Sequence, residues 1–422
     1  MKKITLISSV LTVLFFTGCG TTSKNITSVT ETDLSDLVPE TEVFDLTEAD
    51  NSQKNLITEP EEEKWSQELT LLFGGDIMAH SINYQISTYS KIWRDIKDEI
   101  LPADLAFANI EAPIDTTKSA STYPNFNMTQ KYVQAAVDAG FDVFSLCNNH
   151  TNDQGLTGIK ETIKTTERLT KAAAENGHKI YFSGLKNTSE DSLTYNIIET
   201  KGWKILFLPI TELLNRPSHS EYINFISPNS TDRENFIKLC KELRENNPCD
   251  LFIISVHTAE PEYTRVITEK QDEYYKSLLD SGADVVWANH AHIIKDRKLI
   301  VDSEKKTTKL IMYANGNTIS GQRTKPELNS KNPVGERDNT GDGLLYRVTF
   351  KKENKEASPF ILKAKPVFIT TYINTAGEFV IKKLDQSFVD YLYEVPRNSW
   401  AEYIKRRITI NKDATKDLIE WQ

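Results

Sequence analysis

The sequence predicts an α/β protein, and three observations carry that prediction: strand-length apolar runs that mostly lack strict alternation, amphipathic segments of helical length between several of them, and polar residues concentrated where the runs end. In chain order the runs are "LTLLFGG", "ADLAFAN", "FDVFSL", "KIYFSG", "WKILFLPI", "DLFIISVH", "ADVVWANH" and "KLIMYANGN". Strands covered on both faces read this way, because neither face needs polar residues. Residues 129–139, 155–175, 231–245 and 268–281 read as helices between them. Beyond Gly343, "LLYRVTF" and "PVFITTYI" alternate, which predicts antiparallel strands at an edge or in a second layer. Residues 398–422 read as a helix, basic in its first half. With 422 residues, 39% of them hydrophobic, the chain can bury a substantial core as one large or two medium domains.

The N-terminus, "MKKITLISSVLTVLFFTGCG", places Lys2 and Lys3 before an apolar stretch from Ile4 to Phe16. That stretch is too short to span a bilayer as a stable helix and has the layout of a secretory signal. Cys19, after Thr17 and Gly18, resembles the end of a bacterial lipobox, with Phe16 where leucine is usual. Residues 1–19 are therefore expected to be a lipoprotein signal, leaving a chain lipidated at Cys19 and anchored to the cell membrane on its extracytoplasmic side. Residues 20–68 are rich in Thr, Ser, Asp and Glu without apolar periodicity, and read as a self-repelling flexible tether. Residues 31–68 hold thirteen acidic residues against Lys54 and Lys64, so the net charge of -10 belongs to this tail. No basic stripe remains to grip nucleic acid. Cys147, Cys240 and Cys249 are an odd set in an exported chain; pairing of Cys240 with Cys249 and two unpaired thiols both stay open.

In parallel α/β sheets, ligands bind beyond the carboxyl ends of the strands. Six of the eight runs end in Asp, Glu, Asn or His: Asp76, then Glu111, then Asn148, Asn149 and His150, then His257, then His290 and His292, then Asn315 and Asn317. Carboxylates supply charge, neutral imidazoles supply nitrogen donors and an asparagine carbonyl completes a shell. Such mixed ligation suits Zn, Mn or Fe better than Ca or Mg. In an extended "HAH", His290 and His292 would put both rings on one side. Within "SLCNNHTNDQG", a loop that only turns accounts for Asn152, Asp153 and Gly155, but not for His150.

The motifs "GDIM", "NIEAP", "NNHTNDQG", "VH" with "EY", "HAH" and "YANGN", in this order, resemble the CapA/PgsA poly-γ-glutamate capsule biosynthesis family, a branch of the calcineurin-like metallophosphoesterase superfamily. The resemblance, which covers residues 69–370, implies a four-layered α/β/β/α sandwich there; residues 371–422 beyond it read as a C-terminal strand and helical extension. It implies two divalent ions held by Asp76, a bridging Glu111, Asn149, His257, His290 and His292. It further implies His150 as proton donor or oxyanion partner, with Asp153 orienting its ring. Met78 stands two residues after Asp76 where the wider superfamily has histidine but the capsule family itself tends to have methionine, and Ala288 and Asn289 stand where the pattern commonly has a glycine and a histidine. Glu260 and Glu262 both qualify as the glutamate of the fourth motif, and His80 reads as a solvent-facing residue at a helix start. For function, the resemblance implies a role in capsule or poly-γ-glutamate synthesis or export, as a metal-dependent hydrolase of a phosphoester or envelope polymer. The other reading is an accessory protein that binds the anionic polymer, or organises its synthase complex, without turnover.

Overall fold

The computed structural model describes residues 65–304 and 306–415. Cys19, the signal segment and the tether up to residue 64 lie outside the described residues, as do residues 416–422 of the expected C-terminal helix. Each of the eight apolar runs holds a strand: β1 (Glu68–Ile77), β2 (Leu105–Ile110), β3 (Val143–Ser145) and β4 (Tyr181–Ser183) in one sheet, with β6 (Trp203–Thr211), β7 (Leu251–His257), β8 (Val285–Asn289) and β10 (Thr307–Met312) in the other. Less apolar strands add to them: β5 (Asn196–Thr200), β9 (Arg297–Asp302), β11 (Asn317–Ile319), β12 (Asp342–Lys351), β13 (Phe360–Ile373) and β14 (Phe379–Lys383).

The first sheet runs β14-β13-β12-β1-β2-β3-β4, with β11 parallel to the end of β1. The second runs β5-β6-β7-β8-β10-β9. Strands β1 to β4 are mutually parallel, and so are β6, β7, β8 and β10. The alternating pair β12 and β13 extends the first sheet beside β1 rather than forming a layer of its own. Outer strands escape a reading by apolar runs because one edge or face meets water: β9 reads "RKLIVD" and β5 reads "NIIET".

Period-two burial makes four layers. Along β6, Ile205 and Phe207 face the first sheet, while Leu206, Leu208 and Ile210 face the helices Ser230–Asn246 and Glu269–Asp280 with Phe236 and Leu278. Between the sheets, Phe73 stacks on Phe107 at 4.8 Å, and Phe107 meets Phe207 and Trp287 edge-on at 5.5 and 6.2 Å. The outer face of the first sheet packs Ile77, Ala108 and Phe144 against helices that include Gln130–Asp138, Gly155–Glu175 and Asn398–Ala414. The architecture is therefore an α/β/β/α sandwich with three apolar interlayers. β13 runs through residue 370 without interruption, and the helices Gln386–Glu394 and Asn398–Ala414 share the core of the first sheet. At the end of the expected tether, the Trp203 Nε1–H donates to Ser66 O at 2.8 Å and the Lys352 N–H to Gln67 O at 3.0 Å.

The two sheets converge at the carboxyl end of β1. A Cβ on Gly75 would lie 1.9 Å from Gly316 O, so glycine is required where β1 passes the turn into β11. That close approach sets Asp76 beside Asn317, its register partner.

Candidate metal centre

Every strand end that brings chemistry to the centre faces the same end of the sandwich. Asp76 closes β1, Glu111 follows β2, Asn149 and His150 follow β3, His257 closes β7, and His290 and His292 follow β8. Facing atoms of Asp76, Glu111 and His292 all lie within 4.8 Å of one another, and so do those of Glu262, His290 and His292. Glu111 stands between two imidazoles, its Oε1 3.9 Å from His257 Nε2 and 3.7 Å from His292 Nε2. Asn149 Oδ1 lies 2.9 Å from His257 Nε2, and that nitrogen lies 3.1 Å from His290 Nδ1. All six residues assigned as ligands are thus drawn together, and all are buried.

"HAH" is not extended. His290 and His292 have φ of 93° and 54°, in the left-handed region that side chains with a Cβ rarely enter, and their ring centroids are 6.0 Å apart. The rings converge through a strained turn, a cost of about 1–3 kcal/mol per residue that surrounding structure sustains at functional sites. Asn317 Oδ1 lies 3.0 Å from His292 Nδ1, which leaves Nε2 of that ring toward Glu111.

The electrostatics fit a cation. Glu111 is fully buried and neither carboxylate oxygen has a hydrogen-bond partner among the described residues. Native proteins seldom leave such a group orphaned. Burial first, then Asp76 and Glu262, push its carboxyl well above the usual range. Burial, reinforced by the other imidazoles, holds His257 well below its ordinary value and His290 down to about 3, so both rings are neutral, the form that ligates metal. His292 is held up instead: burial lowers it, but Asp76, Glu262 and Asn317 together outweigh that effect. Two carboxylates, three imidazoles and an amide oxygen around one gap form a donor set for divalent ions.

Beside the centre opens a cavity of about 690 Å³, lined in part by Met78, His150, Asn215, Arg216, Glu262 and Arg337. His150 Nδ1 lies 2.7 Å from Asp153 Oδ2, which also accepts the Phe126 N–H at 2.8 Å. Phe126 meets the imidazole edge-on at 4.7 Å. Asn148 braces this loop: its Nδ2 donates to Ile110 O at 2.7 Å and its Oδ1 accepts the His150 N–H at 3.2 Å. The structure separates the two glutamates of "HTAEPEY": Glu262 faces His290 and His292, whereas Glu260 accepts from the Thr268 hydroxyl at 3.2 Å.

His80 does not face solvent. Half-buried, it lines the cavity, its Nδ1 accepting the Gly321 N–H at 3.1 Å and its ring edge-on to Phe126 at 5.0 Å. Sequence reading places Asn109 at a strand end without giving it a role, and its Nδ2 donates to Asp76 Oδ1 at 2.8 Å; it passes over Asn215, which reaches His150 from a loop after β6. Asn109 precedes the motif residue Glu111 by two, a signal within reach; Asn215 has none. Cys147 is a buried thiol with Sγ 3.2 Å from Gly184 O, and Cys240 and Cys249 are free.

Residues 70–322 match the family described as bacterial capsule synthesis protein PGA_cap. The chain belongs to this family. Among PGA_cap relatives, it is 25% identical over 278 residues to the capsule biosynthesis protein CapA of Bacillus anthracis and 21% identical over 260 residues to the PGA biosynthesis protein CapA of Bacillus subtilis. These matches cover 64% and 60% of this chain, and 64% of each relative's length. Among solved structures, it is similar to the calcineurin-like phosphoesterase YfkN from Bacillus subtilis, with 14% identity, a TM-score of 0.39, and coverage of 80% of this chain and 99% of that one. A putative 5′-nucleotidase from Staphylococcus aureus shows 11% identity and a TM-score of 0.39, over 70% of this chain and 54% of that one. The PGA_cap segment contains all six clustered residues, His150 and Asp153, but not Thr324 and Arg337 of the cavity wall.

Proposed function

We propose that this PGA_cap protein is a metal-dependent hydrolase acting on a phosphoester or an anionic envelope polymer of the capsule pathway, held at the outer face of the cell membrane by a lipid on Cys19. The observation that carries the reading is Glu111, buried and, among the described residues, unpartnered between His257 and His292, next to a cavity that His150 and His292 line. Divalent ions bound there, of the Mn, Zn or Fe type, supply Lewis acidity and an activated water. Asp76, Glu111, Asn149, His257, His290 and His292 hold them. Asp153 holds the His150 ring through Nδ1, and when the ring is protonated on both nitrogens its Nε2–H is the proton that would pass to the leaving oxygen, leaving the neutral ring with Nδ1–H on Asp153. Arg216 and Arg337 at the mouth favour a ligand that carries negative charge, as the capsule polymer of the CapA relatives' pathway would.

A second reading has one specific observation behind it. Met78 lines the cavity where a further imidazole would complete the set of Asp76, Glu111 and His292, which suits an accessory protein that binds the anionic polymer or its synthase without cleaving it. One experiment decides between them: the metal-loaded protein assayed on a small phosphodiester with manganese. Hydrolysis is expected, and His150→Ala is expected to lower kcat by about 10²–10⁴ while the metal content measured by elemental analysis stays the same. Full metal uptake with no turnover on any phosphoester or γ-glutamyl substrate would select the accessory role, and no uptake at all would sink both.

A further inference from the structure

His80 sits in the cavity wall with a ring that is held in one orientation and one tautomer. Its backbone N–H donates to Asn83 Oδ1 at 3.1 Å at the start of the short helix Ser81–Tyr84. Its ring packs edge-on against Phe126 at 5.0 Å, and the Gly321 N–H donates to Nδ1 at 3.1 Å. Gly321 must be glycine for this approach, because a Cβ there would lie 2.6 Å from His80 Cβ and 2.7 Å from Ile82 Cγ2. A backbone N–H only donates, so Nδ1 is the acceptor and the neutral ring carries its proton on Nε2. Among the described residues no group is hydrogen-bonded to Nε2, and His80 lines the cavity together with His150 and His292. Burial, then the imidazoles of His292 and His150, hold the ring down to about 3, which keeps it in the neutral form.

We propose that His80 is a substrate-contacting residue whose Nε2–H donates to a non-bridging oxygen of a tetrahedral oxyanion, a phosphate or phosphoester, seated over the metal centre. The inference rests on the reading of this cavity as a site for phosphoryl groups. A neutral, pre-oriented donor in a partly buried cavity stabilises charge without first having to reorganise. It also compensates for chemistry that Met78 does not supply, since a thioether offers neither a charge nor a strong donor.

The test uses the full chain loaded with manganese or zinc and inorganic phosphate as the probe. Phosphate affinity is read by calorimetry and bound metal by elemental analysis. His80→Ala is expected to weaken phosphate about tenfold, the scale of one hydrogen bond to a charged group, with the metal content unchanged. His80→Gln, which keeps an N–H near the same place, is expected to recover most of that loss. Gly321→Ala, which displaces the ring without removing it, is expected to fall between them. Loss of a metal ion in His80→Ala would make His80 a ligand and overturn the proposal. So would phosphate affinity within about twofold of the wild type, or a glutamine variant as weak as the alanine one. If the loaded wild-type chain itself binds no phosphate, the phosphoryl reading of the cavity falls and this inference with it; an absent effect confined to the His80 variants leaves that reading standing.

Discussion

Glutamine in place of Glu111 is expected to abolish metal uptake and every metal-dependent turnover, while making the metal-free protein more stable than the wild type. Glu111 is fully buried, with both oxygens unpartnered among the described residues, and burial followed by repulsion from Asp76 and Glu262 holds its carboxyl well above the usual range. Without a cation the fold carries the desolvation cost of that group, about 1–3 kcal/mol for a buried polar group left unmatched. Glutamine has nearly the same volume and no charge, so the metal-free variant is expected to gain about that much. With metal the order reverses, since ligand at a thousandfold above its Kd stabilises a folded protein by about 4 kcal/mol and the variant forgoes it. Denaturant midpoints of the two proteins, measured with and without metal, are therefore expected to cross. A variant that is less stable than the wild type in chelator, or that retains the full metal content, would remove Glu111 from the middle of the centre.

The reversal expected at Glu111 explains why the centre was legible in the sequence at all. Its residues break local rules: a carboxylate after "FANI", histidines after "FIISV" and "VVWAN", positions where a buried strand should simply turn. Strands β1, β2, β3, β6, β7 and β8 were equally plain, because burial on both faces leaves nearly continuous apolar runs. What sequence could not show is anything decided by a distant backbone. His80 is held in the cavity wall by the N–H of Gly321, far along the chain. His290 and His292 converge through left-handed turns and not through an extended strand, so the rings came together for a reason other than spacing. Asn215 reaches His150 from a loop with no motif to mark it.

The wall of the cavity continues past the PGA_cap match, through Thr324 and Arg337. That continuation is held by buried charge as well as by apolar packing. Arg323 Nη1 lies 2.9 Å from Asp342 Oδ1, Arg407 Nε lies 2.7 Å from Asp342 Oδ2, and the Thr370 hydroxyl donates to Oδ1 at 2.8 Å. Asn411 Nδ2 adds a bond to Oδ2 at 2.6 Å, and the Tyr403 hydroxyl donates to Asp338 Oδ1 in the same segment. The helix Asn398–Ala414 therefore clamps the segment that carries Thr324 and Arg337 to the start of β12.

Asp342→Ala is accordingly expected to be the most destabilising single change outside the apolar core, at about 3–5 kcal/mol, because it leaves the guanidiniums of Arg323 and Arg407 buried without a counter-charge. Asp342→Asn keeps the shape and two of the acceptor contacts, and is expected to cost less. Substitution of the exposed Arg337, by contrast, is expected to stay within about 0.5 kcal/mol. The pH dependence has a definite sign. Burial alone would raise the Asp342 carboxyl, but Arg407 and Arg323 outweigh it and hold it below the usual aspartate range. A carboxyl depressed in the folded state contributes stability that is complete above its unfolded value and is lost as pH falls through the folded one. The stability gap between wild type and Asp342→Ala is therefore expected to be constant at neutral pH and to shrink only on acidification below the ordinary aspartate range. The same change reaches the metal centre, because the Leu344 N–H donates to Asn315 O and Gly343 packs against Asn317 O, whose side chain orients His292. Metal affinity measured by competition with a chelator is expected to fall in the alanine variant even where enough folded protein remains, and unchanged affinity there would separate the clamp from the centre.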